Sequence, residues 1–96
     1  MVIAALDHVP QCYTSADGLV IAGTIRRCLR QGGATLSFFG VDDVPSSFVN
    51  SAIVSLLDEF SSDEIRKRLS IVDSNRQIND MIRRCMMNAA RAPEYA

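Results

Sequence analysis

The chain is short of the residues that usually announce chemistry. It has one histidine, His8, and three cysteines, Cys12, Cys28 and Cys85, in 96 residues. Asp7, His8 and Cys12 are the nearest approach to a ligand set, and they lack the paired Cys/His spacing of a zinc site. An odd, widely spaced cysteine set also excludes the dense disulfide framework of a small secreted domain. Cys28 and Cys85 fall on apolar helical faces, where a thiol acts as a small hydrophobe. A Ser/His/Asp hydrolase would have to use His8, and no G-x-S-x-G turn is present. The five glycines are scattered, so there is neither a G-x-G-x-x-G fingerprint nor a P-loop. No metal, cofactor or catalytic residue is expected, and the chain reads as a non-enzyme.

An excess of charge of one sign is missing as well. Ten Lys and Arg stand against eleven Asp and Glu, for a net charge of −1. Proteins that grip nucleic acid by its backbone carry a basic excess, so nucleic acid is not an expected partner. The bases at Arg26, Arg27 and Arg30, and at Arg83 and Arg84, read as solvated faces interleaved with acids. No stretch approaches the roughly 18 apolar residues of a membrane span. The opening MVIAALDHVP lacks the basic start and long apolar core of a signal peptide. A cytoplasmic protein without membrane contact is expected.

What is present is globular. Hydrophobic residues make up 48% and charged residues 22%, close to the average for folded domains. Length and the lack of repeats or linkers give one domain, 1–96, with 91–96 as a flexible tail. Val2 to Leu6 reads as a buried strand. Thr14 or Ser15 caps a helix with Ile21, Ile25, Cys28 and Leu29 on one face. Gly32 and Gly33 end it, and Gly23 inside it marks a close backbone contact. Ala34 to Phe39 is a second strand. A helix capped by Ser46 or Ser47 carries the stripe Val49, Ala52, Ile53, Leu56, Leu57 and Phe60. Ser61 with Glu64 is a capping box opening a short helix with acids first and bases last. Leu69 to Val72 is the third strand. A second capping box, Ser74 with Gln77, opens a last helix with Ile78, Ile82, Cys85, Met86 and Ala89 inward. Strands alternating with helices predict an α/β fold with a mainly parallel sheet of three to four strands packed against helices. Met81, Met86 and Met87 are core filling or an adaptable partner surface.

The stretch Thr35 to Ile53 is the most informative. Ligands and partners of parallel α/β sheets meet the loops at the carboxyl ends of the strands. Ser46 and Ser47 lie at such an end and at a helix start, where main-chain amides and the dipole accept negative charge. A phosphate there is tolerated by the fold, and to a docked partner it is a new charge and a steric block. Alternation turns one of Phe38 and Phe39 outward. An outward Phe39 beside Val44 and Phe48 would form an apolar docking patch rimmed by Asp42 and Asp43.

The residues Leu36-Ser37-Phe38-Phe39-Gly40-Val41, then Pro45-Ser46-Ser47-Phe48-Val49-Asn50, Ile53 and Leu57, resemble the STAS-like family of small bacterial domains (the DUF4325 group). Arg68 to Asp73 and a last helix ending near Asn88-Ala89 also fit, so the likeness runs from about Ala34 to Ala89. It implies an α/β domain related to anti-sigma-factor antagonists. In those proteins a serine at this helix start is phosphorylated by a histidine-kinase-like ATPase, and phosphorylation releases the partner. By position that serine is Ser47, with Ser46 its neighbour. The chain departs from the antagonists in having Pro45 before the serine pair and Phe48 after it, and from the STAS-like group in having Ser37 where a strand-end Asp stands. The implied role is a regulatory or interaction module binding a protein partner through residues 40–48, with Val44 and Phe48 as anchors, Asp42 and Asp43 on the rim and Ser47 as the switch. The alternative is a homo-oligomer or accessory subunit without a switch.

Overall fold

Three short apolar runs become three parallel strands. In the computed structural model, which describes residues 2–91, β1 (Val2–Ala4), β2 (Ala34–Ser37) and β3 (Leu69–Val72) form one sheet in the order β1-β2-β3. Both pairings are parallel, with Ile3, Leu36 and Ile71 in one row. Five helices accompany the strands among the described residues: α1 (Ala5–His8), α2 (Ser15–Arg30), α3 (Ser46–Ala52), α4 (Ser62–Arg68) and α5 (Arg76–Arg91). A 3₁₀ turn, Val54–Asp58, links α3 to α4. The expected parallel α/β fold is present, with three strands. The tail expected over 91–96 lies, from residue 92 on, outside the described residues.

Both crossovers step to the next strand in the same direction. Right-handed connections of that kind put α2 and the α3–α4 segment on one face. Burial agrees: Ile3 and Leu36 are closed off and Ile71 packs against the same core, whereas Val2 in the neighbouring row is 70% exposed. Phe38, Phe48, Ile21, Ile25, Leu29, Leu56 and Ile78 fill the space between sheet and helices.

Local chemistry sets the ends of most elements. Thr14 and Asp17 form a reciprocal capping box at α2, and Ser61 and Glu64 another at α4. Each satisfies amides that have no partner inside the helix. β1 stops at Ala4, two residues before the expected Leu6, because the chain turns into α1, closed by the Val9 amide on the Ala5 carbonyl.

The stripe expected from Val49 to Phe60 does point inward, but the helix carrying it breaks at Ile53. Ser55 Oγ donates to the Ser51 carbonyl, and the Arg26 guanidinium donates to the Ser55 carbonyl at 2.9 Å. Side chains thus take acceptors that a continuous helix gives to its own amides. Arg30 adds a two-pronged bond to Glu59 (2.5 and 2.7 Å), which ties α2 to the end of this segment. That guanidinium holds the Glu59 carboxyl below its usual value through hydrogen bonding, helped by its charge.

The close approach expected at Gly23 occurs at Gly18 instead. A Cβ on Gly18 would sit 2.6 Å from the Phe48 carbonyl and 2.7 Å from Ser51 Cβ, whereas Gly23 faces open space. The absent side chain at Gly18 is what lets α2 lie directly on α3.

The second capping box is also drawn differently. Asn75 Oδ1, not Ser74, accepts the Ile78 amide at the start of α5, and Ser74 donates to Asn79. Gln77 is thereby free to act elsewhere.

Candidate functional site

β2 ends at Ser37, and the chain then makes a tight turn. Phe38 is buried and the Val41 amide donates to its carbonyl at 2.9 Å. Gly40 sits inside the turn at φ +85°, a conformation that side chains disfavour. Phe39 is thrown outward and is 76% exposed, so it is the outward ring of the pair that alternation leaves undecided.

The following loop is held by the start of α5. Asn75 Nδ2 donates to the Asp42 carbonyl at 2.7 Å. The Gln77 amide group grips both sides of Val44, accepting from its N–H and donating to its C=O, each at 3.0 Å. This is the pairing an adjacent strand would make, supplied by one side chain. Sequence reasoning missed it, because Gln77 looked like half of a capping box and nothing local links it to Val44, 33 positions away.

Ser37 is the buried polar residue of the site. Its hydroxyl donates to Asp73 at 2.7 Å and accepts from the Phe39 amide. Asp73 holds the left-handed backbone value of φ +54° at the end of β3. A carboxylate therefore still stands at this end of the sheet, although Ser37 replaces the strand-end Asp of the family pattern.

Neither Ser46 nor Ser47 caps α3, contrary to expectation. Pro45 occupies the N-cap with extended backbone, and no side chain closes the helix start. The amides of Ser46, Ser47 and Phe48 have no intrahelical acceptor, as at any helix start, and proline has no side-chain acceptor to offer them. Both serines are exposed, and so are Asp42 and Asp43. Ser46 lines a cleft between α3 and α5 that also holds Asn50, Met81 and the exposed Arg84.

Two expected anchors are corrected. Val44 is 2% exposed and Phe48 is fully buried, so neither can present an apolar surface to a partner. Their reason is the core. Phe48 is on the inward face of α3 and meets Phe38 edge to face, with centroids 6.5 Å apart and planes at 69°. Val44 is pulled inward by the Gln77 clamp. Of the proposed apolar patch, Phe39 alone reaches solvent.

The metal and thiol candidates are not drawn together. Among the described residues, no three His, Cys, Asp or Glu side chains could hold a metal ion. His8 is exposed and Cys12 is buried. Burial, helped by Asp17, pushes the Cys12 thiol from 9.0 up to about 11. Burial also raises Cys85, with Arg84 opposing. Thiols shifted upward are poor nucleophiles at neutral pH. No described helix is long and apolar enough to cross a membrane.

A three-stranded parallel sheet, helices stacked on one face, and a strand-end loop leading to an open helix start together define a STAS-like α/β domain. The chain belongs to that family: the model of the STAS-like domain of unknown function (DUF4325) matches residues 20–79. The match takes in most of α2, which the residue likeness had left outside, and stops within the first turn of α5. No curated protein and no solved structure is significantly similar to the chain.

Proposed function

We propose that this domain is a non-catalytic regulatory or interaction module of the cytoplasm that docks a protein partner on Phe39, Asp42, Asp43 and the start of α3. The observation that carries this reading is the open start of α3. Two serine hydroxyls stand exposed there, unused as caps, beside an aromatic ring that is 76% exposed. The loop between them is fastened to α5, so the surface is preorganised and loses little freedom on binding. Phe39 takes over the anchor role first assigned to Val44 and Phe48. The acids give the rim a negative sign, which suits a partner with a basic patch.

A phosphate on Ser47 or Ser46 would meet main-chain amides on the protein side and add to the negative rim on the partner side. It would leave the fold intact and block docking. A histidine-kinase-like ATPase is the partner that the family likeness suggests. The serines are the switch in this reading, and Ser47 is the principal one. Phe39→Asp and Ser47→Glu should each weaken partner binding at least about tenfold, as loss of an aromatic anchor or a new charge at an interface does, with unchanged circular dichroism. Unchanged binding by both folded variants would defeat the proposal.

A second reading has one observation in its favour. All-parallel sheets are normally covered on both faces, yet here Val2 and Val72 lie exposed on the face opposite the helices. A homo-oligomer would cover them. Light scattering across a concentration series separates this reading, which requires a stable dimer, from the first, which does not.

A further inference from the structure

β3 is an edge strand, and its outer side carries no strand among the described residues. The Phe38 amide donates to the Val72 carbonyl across the β2–β3 pair at 3.1 Å. Main-chain groups of successive residues in a strand point to alternate sides. The amide and carbonyl of Ile71, and the carbonyl of Leu69, therefore point away from β2. The Leu69 amide is already used on the Ile65 carbonyl at the end of α4. Three main-chain groups thus face an unoccupied edge at the alternating spacing with which an added strand pairs.

Beside this edge, on the helical side of the sheet, is a cavity of about 310 Å³. Ile65 of α4, Leu69 and Ile71 of β3, and Ile82 and Met86 of α5 give it an apolar lining. Arg66 and Arg83 also line it, both exposed, and no acidic side chain does. Among the described residues Arg66 has no carboxylate within ion-pair distance, and Arg83 reaches Asp80 at 3.3 Å on the surface of its own helix. Lys67 is exposed just before β3, as is Arg68, whose charge acts on Glu64 one turn back. The acids of α4 lie at its other end, where Glu64 is engaged with Ser61.

We propose that the β3 edge and this groove form a second binding surface, for an extended acidic and apolar peptide segment of another protein. The segment adds as a fourth strand, pairs with Leu69 and Ile71, and places alternate apolar side chains in the groove. Its carboxylates meet Arg66 and Arg83. A second copy paired antiparallel through β3 would set residues 66–68 of each beside the far end of the other's β3, and so would bring no carboxylate to Arg66 and Arg83 in the groove. A small anionic amphiphile could use the groove and the arginines but would leave the main-chain groups of the edge unpaired. The surface is built from α4, β3 and α5 and uses neither Phe39 nor Ser47, so it does not depend on the switch proposed above.

A random-peptide phage library panned on the full chain tests this. Recovered peptides should alternate apolar and acidic residues, and a synthetic copy should slow hydrogen exchange of the Ile71 amide. The double variant Arg66→Glu, Arg83→Glu changes exposed positions only and should bind that peptide at least about tenfold more weakly, as lost charge complementarity implies. Phe39→Asp should bind it unchanged. The proposal is overturned if panning yields no acidic and apolar sequence. Equal binding by the double variant, or an unprotected Ile71 amide in the complex, also overturns it. So does decanoate binding the groove with the same dependence on the arginines while no peptide does, and so does self-association that the double variant abolishes.

Discussion

Two glycines in the same helix carry opposite meanings. Gly18 is where α2 touches α3, and a methyl group there would collide with the Phe48 carbonyl, a backbone atom that cannot swing aside. Gly18→Ala should destabilise the fold by about 1–3 kcal/mol, the usual cost of overpacking. Gly23 has open space around its Cβ position and lies inside the helix. Gly23→Ala should stabilise by about 0.5–1 kcal/mol, because alanine suits a helix interior better. Urea denaturation of the pair measures both, and equal shifts would show that the α2–α3 contact is not close. The sequence marks Gly23 as unusual but is silent on Gly18, since a close approach between helices depends on a partner 30 positions away. Cys12 gives a pH dependence. Its folded pKa of about 11 exceeds the usual 9.0, so above 9.0 the unfolded chain loses the thiol proton first and stability falls. The loss should run between about pH 9 and 11 and shrink in Cys12→Ala, the raised Cys85 thiol leaving a remainder, as followed by denaturation at each pH.

At the level of elements, periodicity was a good guide to faces and a poorer guide to ends. Strand β3 and the inward stripes of α2 and of Val49 to Phe60 were legible, because burial imposes its period on sequence directly. The break at Ile53 was not, because it rests on Ser55 and Arg26 taking main-chain acceptors. Capping boxes were read correctly where both partners were local, at Ser61 and Glu64, and wrongly where one was recruited elsewhere, at Gln77. The site divides in the same way. Phe39, Ser46, Ser47, Asp42 and Asp43 are exposed as expected, whereas Val44 and Phe48 went to the core through contacts with Gln77 and Phe38 that no local pattern reveals. Gln77 therefore carries a prediction of its own. Gln77→Ala removes both bonds to Val44 and should cost about 1–3 kcal/mol. It should also speed hydrogen exchange at the Val44 amide by more than the global destabilisation explains. Unchanged local exchange would mean that the loop is held by its burial alone.

As a whole molecule, the domain buries one face of its sheet, leaves Val2 and Val72 exposed on the other, and has two further surfaces unfilled. One is the carboxyl end of the strands, where the clamped loop offers Phe39 and two uncapped serines. The other is the β3 edge with its basic groove. In the proposed reading the domain acts through these surfaces, and the first of them is the one its family likeness also singles out. The decisive measurement is quantitative mass spectrometry of proteins retained by the tagged wild-type chain, by Phe39→Asp and by Ser47→Glu in the native host, with phosphate on the bait scored alongside. One protein should be retained by the wild type and lost from both variants, and Ser47 or Ser46 should carry phosphate in the fraction without that protein. Identical retained proteins across the three folded chains, with unmodified serines, would contradict the docking surface and the switch together.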